Sequence, residues 1–214
     1  MIQSFADDSW DTKKENMHVI MVGDVVGSRQ VQADKWLPVL SRALRQYTKK
    51  FDIFRGDSFQ AELSLEGCFA FVFYLKARLR SIGPLDIRIG IGVGEIDYQD
   101  DSIKNSNGQA FVFSGEAFDA LGKDLIAVRS PWTEYDEPVN IMLDLAMELS
   151  GKWTVNMAES VATAIENPQA NQKELAEILK RKHQSQVSTL LNKAHFAQIS
   201  KVVDYCTKEL IKRC

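Results

Sequence analysis

The segment VIMVGDVVGSRQ, residues 19–30, decides how the first half of the chain folds. It lies in an apolar run over 18–26, which is the pattern of a strand covered on both faces. Asp24 interrupts this run, and Gly27, Ser28 and Arg29 follow where a helix would begin. A carboxylate at a strand end beside such a loop indicates either a capping residue or half of a metal–phosphate site.

The composition is that of an ordinary globular protein, with 214 residues of which 45% are hydrophobic and 26% charged. No apolar run approaches the roughly 20 residues that a membrane-spanning helix needs. Residues 1–16 lack the features of a secretory signal and are predicted to form a flexible polar leader, so a cytoplasmic location is expected. The three cysteines are far apart in sequence, and reduced thiols are the simplest interpretation.

Helix and strand patterns alternate after residue 30. Helices are predicted over 31–49, 68–83 and 109–123, and strands over 51–55, 59–65, 86–96 and 124–130. The order strand, helix, strand, strand, helix, strand predicts an α/β (α+β) fold of the ferredoxin-like βαββαβ type, with one open sheet face. Gly90, Gly92 and Gly94 share one face of their strand with Arg88, which indicates that another element packs very closely there.

The composition changes at Pro131, and helical patterns follow. Amphipathic helices are predicted over 137–151, with Pro138 at the first helical position, and over 153–167. Residues 171–194 read as a helix, a short basic turn and a second helix. We therefore predict an α/β domain over 17–131 and a small all-α domain over 132–214.

Charge is distributed unevenly between the two parts. Residues 171–214 contain nine Lys or Arg against four Asp or Glu, whereas residues 1–170 contain seventeen against twenty-five. A basic terminal module on an acidic body is expected if the terminus meets a polyanion such as DNA, although a solvated basic face has the same composition.

The helical pair at 171–194 has features of a helix-turn-helix. Ala176 fits the position where the two helices cross, and Val187, Leu190 and Leu191 fit the apolar anchors of the second helix. The usual turn glycine is missing, with Lys180 near its place. The alternative is a helical hairpin for dimer contacts. Residues predicted to contact DNA phosphates or base edges are Lys180, Arg181, Lys182, Gln184, Ser185, Gln186, Ser188 and Thr189.

Two carboxylates are candidates for a metal site. In a βαββαβ fold the first strand and the central hairpin are neighbours, so Asp24 and Asp57 could face each other at one sheet edge. Mg²⁺ would relieve their repulsion and bind substrate phosphates. The phosphate or nucleotide would be held by Gly27, Ser28, Arg29 and Gly56. Alternatively, both aspartates are turn and cap residues.

The motifs VGDVVGSR, RGDSF, RIGIGVGEI and FSGEAFDALGK resemble, in order and spacing, the palm-type domains of class III nucleotide cyclases and GGDEF proteins. More closely, the chain after residue 17 resembles the bacterial SatD family, in which such a domain precedes a C-terminal helix-turn-helix. This resemblance implies that Asp24 and Asp57 are the metal aspartates and that Gly27 and Ser28 form the phosphate loop.

The chain also departs from the cyclase patterns. Ser58 replaces the catalytic glutamate of the GGDEF motif, and Asp119 and Lys123 stand where class III cyclases have an asparagine and an arginine. An aspartate there has the wrong charge to stabilise a developing negative charge. No catalytic residue is therefore assigned.

The favoured interpretation is a cytoplasmic, homodimeric, DNA-binding regulator whose palm-like domain binds a nucleotide or phosphate ligand, with Mg²⁺ as the candidate cofactor. One alternative is a divergent Mg²⁺-dependent nucleotidyl cyclase or phosphotransferase. Another is an oligomerisation scaffold without a ligand.

Overall fold

The computed structural model describes residues 17–214, and the predicted leader lies outside them. This part of the chain is a mixed α/β structure with a five-stranded sheet and eight α-helices. The strands are β1 (His18–Val26), β2 (Phe51–Phe54), β3 (Ser58–Leu63), β4 (Asp86–Gly94) and β5 (Ile126–Arg129). The helices are α1 (Ala33–Tyr47), α2 (Cys68–Arg80), α3 (Gln109–Asp119), α4 (Thr133–Gly151), α5 (Val155–Glu166), α6 (Gln172–Ile178), α7 (Gln184–Lys193) and α8 (Phe196–Ile211).

The sheet has the strand order β2-β3-β1-β4-β5. β1 lies at its centre and pairs antiparallel with both β3 and β4, while β2 pairs antiparallel with β3. β5 extends the sheet as a parallel neighbour of β4. The register places Asp24 between Ser58 of β3 and Arg88 of β4.

The main core lies on one face of the sheet and surrounds α2. Alternate residues of β1 and β4 point into it, including Met21 and Ile89, and α2 is buried along almost its whole length. Such burial requires a largely apolar helix, and the buried cation of α2, Lys76, is paired with Asp86 at 2.6 Å. The same core includes Leu143 of α4 and Cys206 of α8, so it extends across the predicted boundary at 131/132.

Helix α3 covers the other face of the sheet at its glycine-rich part. A Cβ atom at Gly90 would lie 2.4 Å from the backbone nitrogen of Phe118, and one at Gly92 would lie 2.1 Å from the carbonyl oxygen of Ala110. Only glycine permits this approach of a helix backbone to a strand. The predicted close packing on this strand face is confirmed, and the covering element is α3. The prediction that one sheet face is open is wrong here, because α3 packs on that face.

The free edge of β5 is capped by side chains of α4. The Val128 N–H donates to Oδ1 of Asn140 at 2.7 Å, and Nδ2 of Asn140 donates to the Val128 carbonyl at 2.9 Å. Asn140 thereby takes the place of a neighbouring strand, which blocks edge-to-edge pairing.

Helix α4 begins at Thr133, so the prediction that Pro138 occupies the first helical position is wrong. The first turn is held before the proline, because Asp136 accepts hydrogen bonds from the backbone N–H and the hydroxyl of Ser130. Burial of Asp136 raises the pKa of its carboxyl group.

The three cysteines form no disulfide bonds. All three cysteines are free thiols, and burial raises the pKa of Cys68 and of Cys206 to about 12. Across residues 17–214, no helix has the length and apolar character needed to cross a bilayer.

Candidate anion site and nucleic-acid interface

The loop after β1 begins with a glycine in the left-handed conformation. Gly27 has φ 78°, and a 3-10 turn over Ser28–Gln30 follows it. A Cβ atom at Gly27 would lie 2.8 Å from the carbonyl oxygen of Pro84. Glycine is therefore required here for both its conformation and its size.

This loop is hydrogen-bonded to the tip of the β2–β3 hairpin. The hydroxyl of Ser28 donates to Oδ2 of Asp57 at 2.7 Å, and the backbone N–H of Val25 donates to the Asp57 carbonyl at 3.1 Å. Arg55 and Gly56 form the tip with positive φ angles of 52° and 91°. The predicted loop and hairpin residues therefore do lie at the same end of the sheet.

Asp24 forms a bidentate ion pair with Arg88. Nη2 of Arg88 lies 2.6 Å from Oδ2 of Asp24, and Nε lies 3.2 Å from Oδ1. The hydrogen bond to Asp24 raises the pKa of Arg88 above its usual value. The guanidinium also lies over the Phe118 ring, 5.4 Å from its centroid, which adds a cation–π contact.

The two aspartates do not form the free carboxylate pair that a divalent cation would need. Asp24 already has a cationic partner at both oxygens, and Asp57 accepts the Ser28 hydroxyl. In the part of the chain that the structure describes, no group of three or more His, Cys, Asp or Glu side chains is arranged to hold a metal ion. Magnesium binding at this site stays a prediction, and the present side-chain arrangement does not fit it.

Ser58, Asp119 and Lys123 are the residues that the resemblance aligns with catalytic groups of cyclases. Ser58 pairs with Asp24 across the sheet. Asp119 ends α3, and Lys123 follows it; both side chains are exposed. α3 contacts Arg88 through Phe118, the residue before Asp119.

Helices α5, α6 and α7 pack around a small core of their own. Ala176 of α6 and Val187 of α7 are buried there together with Ala164 and Leu175. These are the crossing residue and first anchor that the sequence predicts. The other predicted anchors, Leu190 and Leu191, are half-buried.

The turn between α6 and α7 places Lys180 in the left-handed conformation, with φ 52°. The Arg181 N–H donates to the Ala176 carbonyl at 2.8 Å, and the Lys180 N–H donates to the Glu177 carbonyl at 3.1 Å. This is the Schellman pattern of helix ends, in which glycine usually takes the left-handed position. Lys180 therefore occupies the structural place of the turn glycine that the sequence lacks.

Arg181 is bound to α5. Its Nη2 donates to Oδ1 of Asn156 at 3.0 Å and to Oε2 of Glu159 at 2.8 Å, and its side chain is 29% exposed. Lys180 and Lys182, on either side of it, are exposed. Arg181 thus fixes the turn to α5, whereas its two neighbours are open to solvent.

The N-terminal part of α7 presents polar side chains to solvent. Ser188 is half-buried, and the exposed residues are Gln184, Ser185, Gln186 and Thr189. Gln186 also accepts the His183 N–H at 3.4 Å, as the third residue of a capping box does. These residues share one surface with the two exposed lysines of the turn.

No family model matches the chain, and a search of curated proteins finds no match. Two ion pairs, Arg88 with Asp24 and Arg181 with Glu159, are indicated only in part by the sequence. Arg88 shares a strand face with Gly90, Gly92 and Gly94 of β4, but its pairing with Asp24 depends on strand register. No local pattern indicates that Glu159 binds Arg181.

Proposed function

We propose that the protein is a SatD-like, DNA-binding regulator in which α6 and α7 form a helix-turn-helix. The observation that carries this proposal is the α6–α7 turn. Its left-handed residue, Lys180, joins two helices that cross at buried Ala176 and Val187. Helix α7 keeps its polar N-terminal residues free, as a recognition helix requires.

The electrostatics of this surface suit a nucleic-acid backbone. Lys180 and Lys182 would contact phosphates, and the N-terminus of α7 adds the positive end of its helix dipole. Gln184, Ser185 and Gln186 lie in the first turn of α7, from which polar side chains can reach base edges in the major groove. In this proposal Arg181 anchors the turn to α5 and does not itself contact DNA.

For the sheet domain we propose a ferredoxin-like, palm-type fold that binds a nucleotide or phosphate ligand. Support comes from the strand order, since β1 lies between β3 and β4 and is antiparallel to both, so that each βαβ unit is split by a strand of the other. The ligand would lie at the end of the sheet where Gly27, Ser28, Arg29 and Gly56 meet. The Gly27 loop supplies backbone N–H groups there, and arginines supply positive charge.

Helix α5 joins the turn between α6 and α7 to α2 in the main core. The hydroxyl of Tyr74, on α2 in the main core, donates to Glu166 of α5 at 2.6 Å. At the other end of the same helix, Asn156 and Glu159 bind Arg181 in the turn between α6 and α7, which we call the reader turn. We propose that ligand binding shifts α5 and thereby alters DNA affinity. A homodimer would present two α7 helices to successive turns of the major groove.

Replacement of Lys180 by glycine tests the reader turn. Lys180→Gly is expected to raise the free energy of unfolding by up to about 1 kcal/mol, because glycine adopts the left-handed conformation without strain. The same change is expected to weaken binding to duplex DNA and to reduce the salt dependence of log K by about one unit, since one phosphate contact is lost. Urea denaturation and fluorescence anisotropy measure the two effects.

Lys201→Gln serves as the charge control, because Lys201 is an exposed lysine on α8, away from the turn. It is expected to leave DNA affinity nearly unchanged. Equal affinities for the wild type and Lys180→Gly, with a stable fold in both, would count against the proposed reader surface.

Thermal-shift measurements with ATP and GTP test the ligand site. A nucleotide at about 100 times its dissociation constant is expected to stabilise the native state by about 2.7 kcal/mol, which raises Tm. Arg29→Gln is expected to reduce this shift, and Arg42→Gln, which changes an exposed arginine of α1, is expected to preserve it. The ligand proposal fails if neither nucleotide raises Tm, or if both variants respond like the wild type.

A further inference from the structure

We infer that the Arg88 guanidinium takes the place of a divalent cation beside Asp24, so that this end of the sheet binds anions without a metal. That the ligand is an anion rests on the proposed function. That Arg88 replaces the cation rests only on the contacts of Arg88.

The geometry of the pair uses both oxygens of Asp24. The two N···O distances, 2.6 and 3.2 Å, belong to a bidentate guanidinium–carboxylate contact. A metal ligand needs a free lone pair directed at the ion, and a second cation here would be repelled by the first. A divalent ion could bind Asp24 only after Arg88 had moved away.

The surroundings hold Arg88 in this position. Its neighbour across the sheet is Asp24, and the Phe118 ring of α3 lies against the other side of the guanidinium. Asp24 is 21% exposed, so the pair is partly removed from water, where ion pairs are screened less. Loss of Arg88 would leave a half-buried carboxylate without a partner, which is unfavourable.

Arg88 still has donors for a ligand. A guanidinium carries five N–H groups, and the two contacts with Asp24 use one each from Nε and Nη2. The side chain is 41% exposed, so the remaining N–H groups are accessible from solvent. A phosphate group could accept these hydrogen bonds directly. The ligand class is thus a phosphate-bearing anion that binds without Mg²⁺.

Binding of Mn²⁺ alone to the full-length protein, followed by electron paramagnetic resonance, tests the substitution. The wild type is expected to show no Mn²⁺ site that depends on Asp24. Arg88→Ala and Arg88→Gln are each expected to gain one site, at least about tenfold tighter than any wild-type binding, because the carboxylate of Asp24 then has no cationic partner and can bind the ion. Arg88→Ala combined with Asp24→Asn is expected to lose it.

Arg42→Ala is the matched control, since it removes an exposed arginine of α1 outside the candidate anion site, and it is expected to gain no site. Wild-type Mn²⁺ binding that Asp24→Asn removes would overturn the inference. So would the absence of a new site in a folded Arg88 variant, with folding checked by circular dichroism.

The metal experiment contains no nucleotide, so its outcome is separate from that of the ligand proposal. If ATP or GTP raises Tm, the shift is expected to be the same in EDTA and in Mg²⁺, and a shift seen only with Mg²⁺ would overturn the inference. If no nucleotide binds, the ligand proposal fails, while the Mn²⁺ result still decides whether Arg88 replaces the cation.

Discussion

Gly92→Ala is expected to destabilise the protein by about 3 kcal/mol, because the new methyl group collides with backbone atoms that cannot move independently. A Cβ atom at Gly92 would lie 2.1 Å from the Ala110 carbonyl oxygen and 2.3 Å from the Ser114 nitrogen. Either α3 must lift off the sheet, or β4 must shift against β1. Urea denaturation followed by circular dichroism measures the loss.

Gly115→Ala provides the matched control on the opposing helix. Gly115 lies within α3, and a Cβ atom there would meet nothing within 4 Å. Alanine is expected to stabilise the helix by up to about 1 kcal/mol, because it loses less backbone entropy than glycine. Two glycines of adjacent elements thus have opposite expected effects, and a mild effect of Gly92→Ala would contradict the close helix–strand contact.

Gln186→Glu is expected to weaken binding to duplex DNA by about 100-fold, because it places a carboxylate among phosphates, and juxtaposed like charges cost several kcal/mol. The same change is expected to leave the fold intact or slightly more stable. Gln186 is the third residue of α7, where a glutamate keeps the hydrogen bond to the His183 N–H and interacts favourably with the helix dipole.

Gln198→Glu is the control for helix position and charge. Gln198 is the third residue of α8 and is exposed, so the substitution adds the same charge at an equivalent site of the next helix. Its DNA affinity is expected to stay within about threefold of the wild type, since it lies beyond the C-terminal end of α7. Equal losses in both variants would indicate a general charge effect and contradict a specific role of α7.

Local patterns predict most of the fold. The apolar run of β1, the hairpin with Gly56 at its tip and the glycines of β4 each carry their signal within a few residues, and the structure agrees with all of them. Apolar spacing in the α6–α7 region likewise identifies Ala176 and Val187 as buried. These local patterns predict the structure correctly because tertiary packing favours the same conformations.

Other features depend on contacts that sequence spacing does not contain. The sequence does not predict α8, which starts after His195 in a left-handed conformation and has no side-chain cap. α4 begins four residues earlier than predicted, where Asp136 binds Ser130. Lys180 is left-handed although it has a side chain, because the crossing of α6 and α7 determines its conformation.

The candidate anion site is likewise predicted only in part by the sequence. Asp24, Ser28 and Asp57 can be placed at one sheet end from strand order alone, and the structure brings them there. Strand order alone does not identify the partner of Asp24, because the counter-ion is Arg88, a residue 64 positions away. That pairing depends on the β1–β4 register, which no local motif specifies.

The central claim is that the α6–α7 surface binds DNA, and a salt titration of the full-length protein against a short labelled duplex tests it most directly. Binding is expected at about 50 mM salt, with log K falling linearly as log salt concentration rises, because phosphate contacts release counterions. The same titration on Gln186→Glu is expected to show a large loss. An anisotropy that stays constant at low salt, or binding that Gln186→Glu leaves unchanged, would contradict the claim.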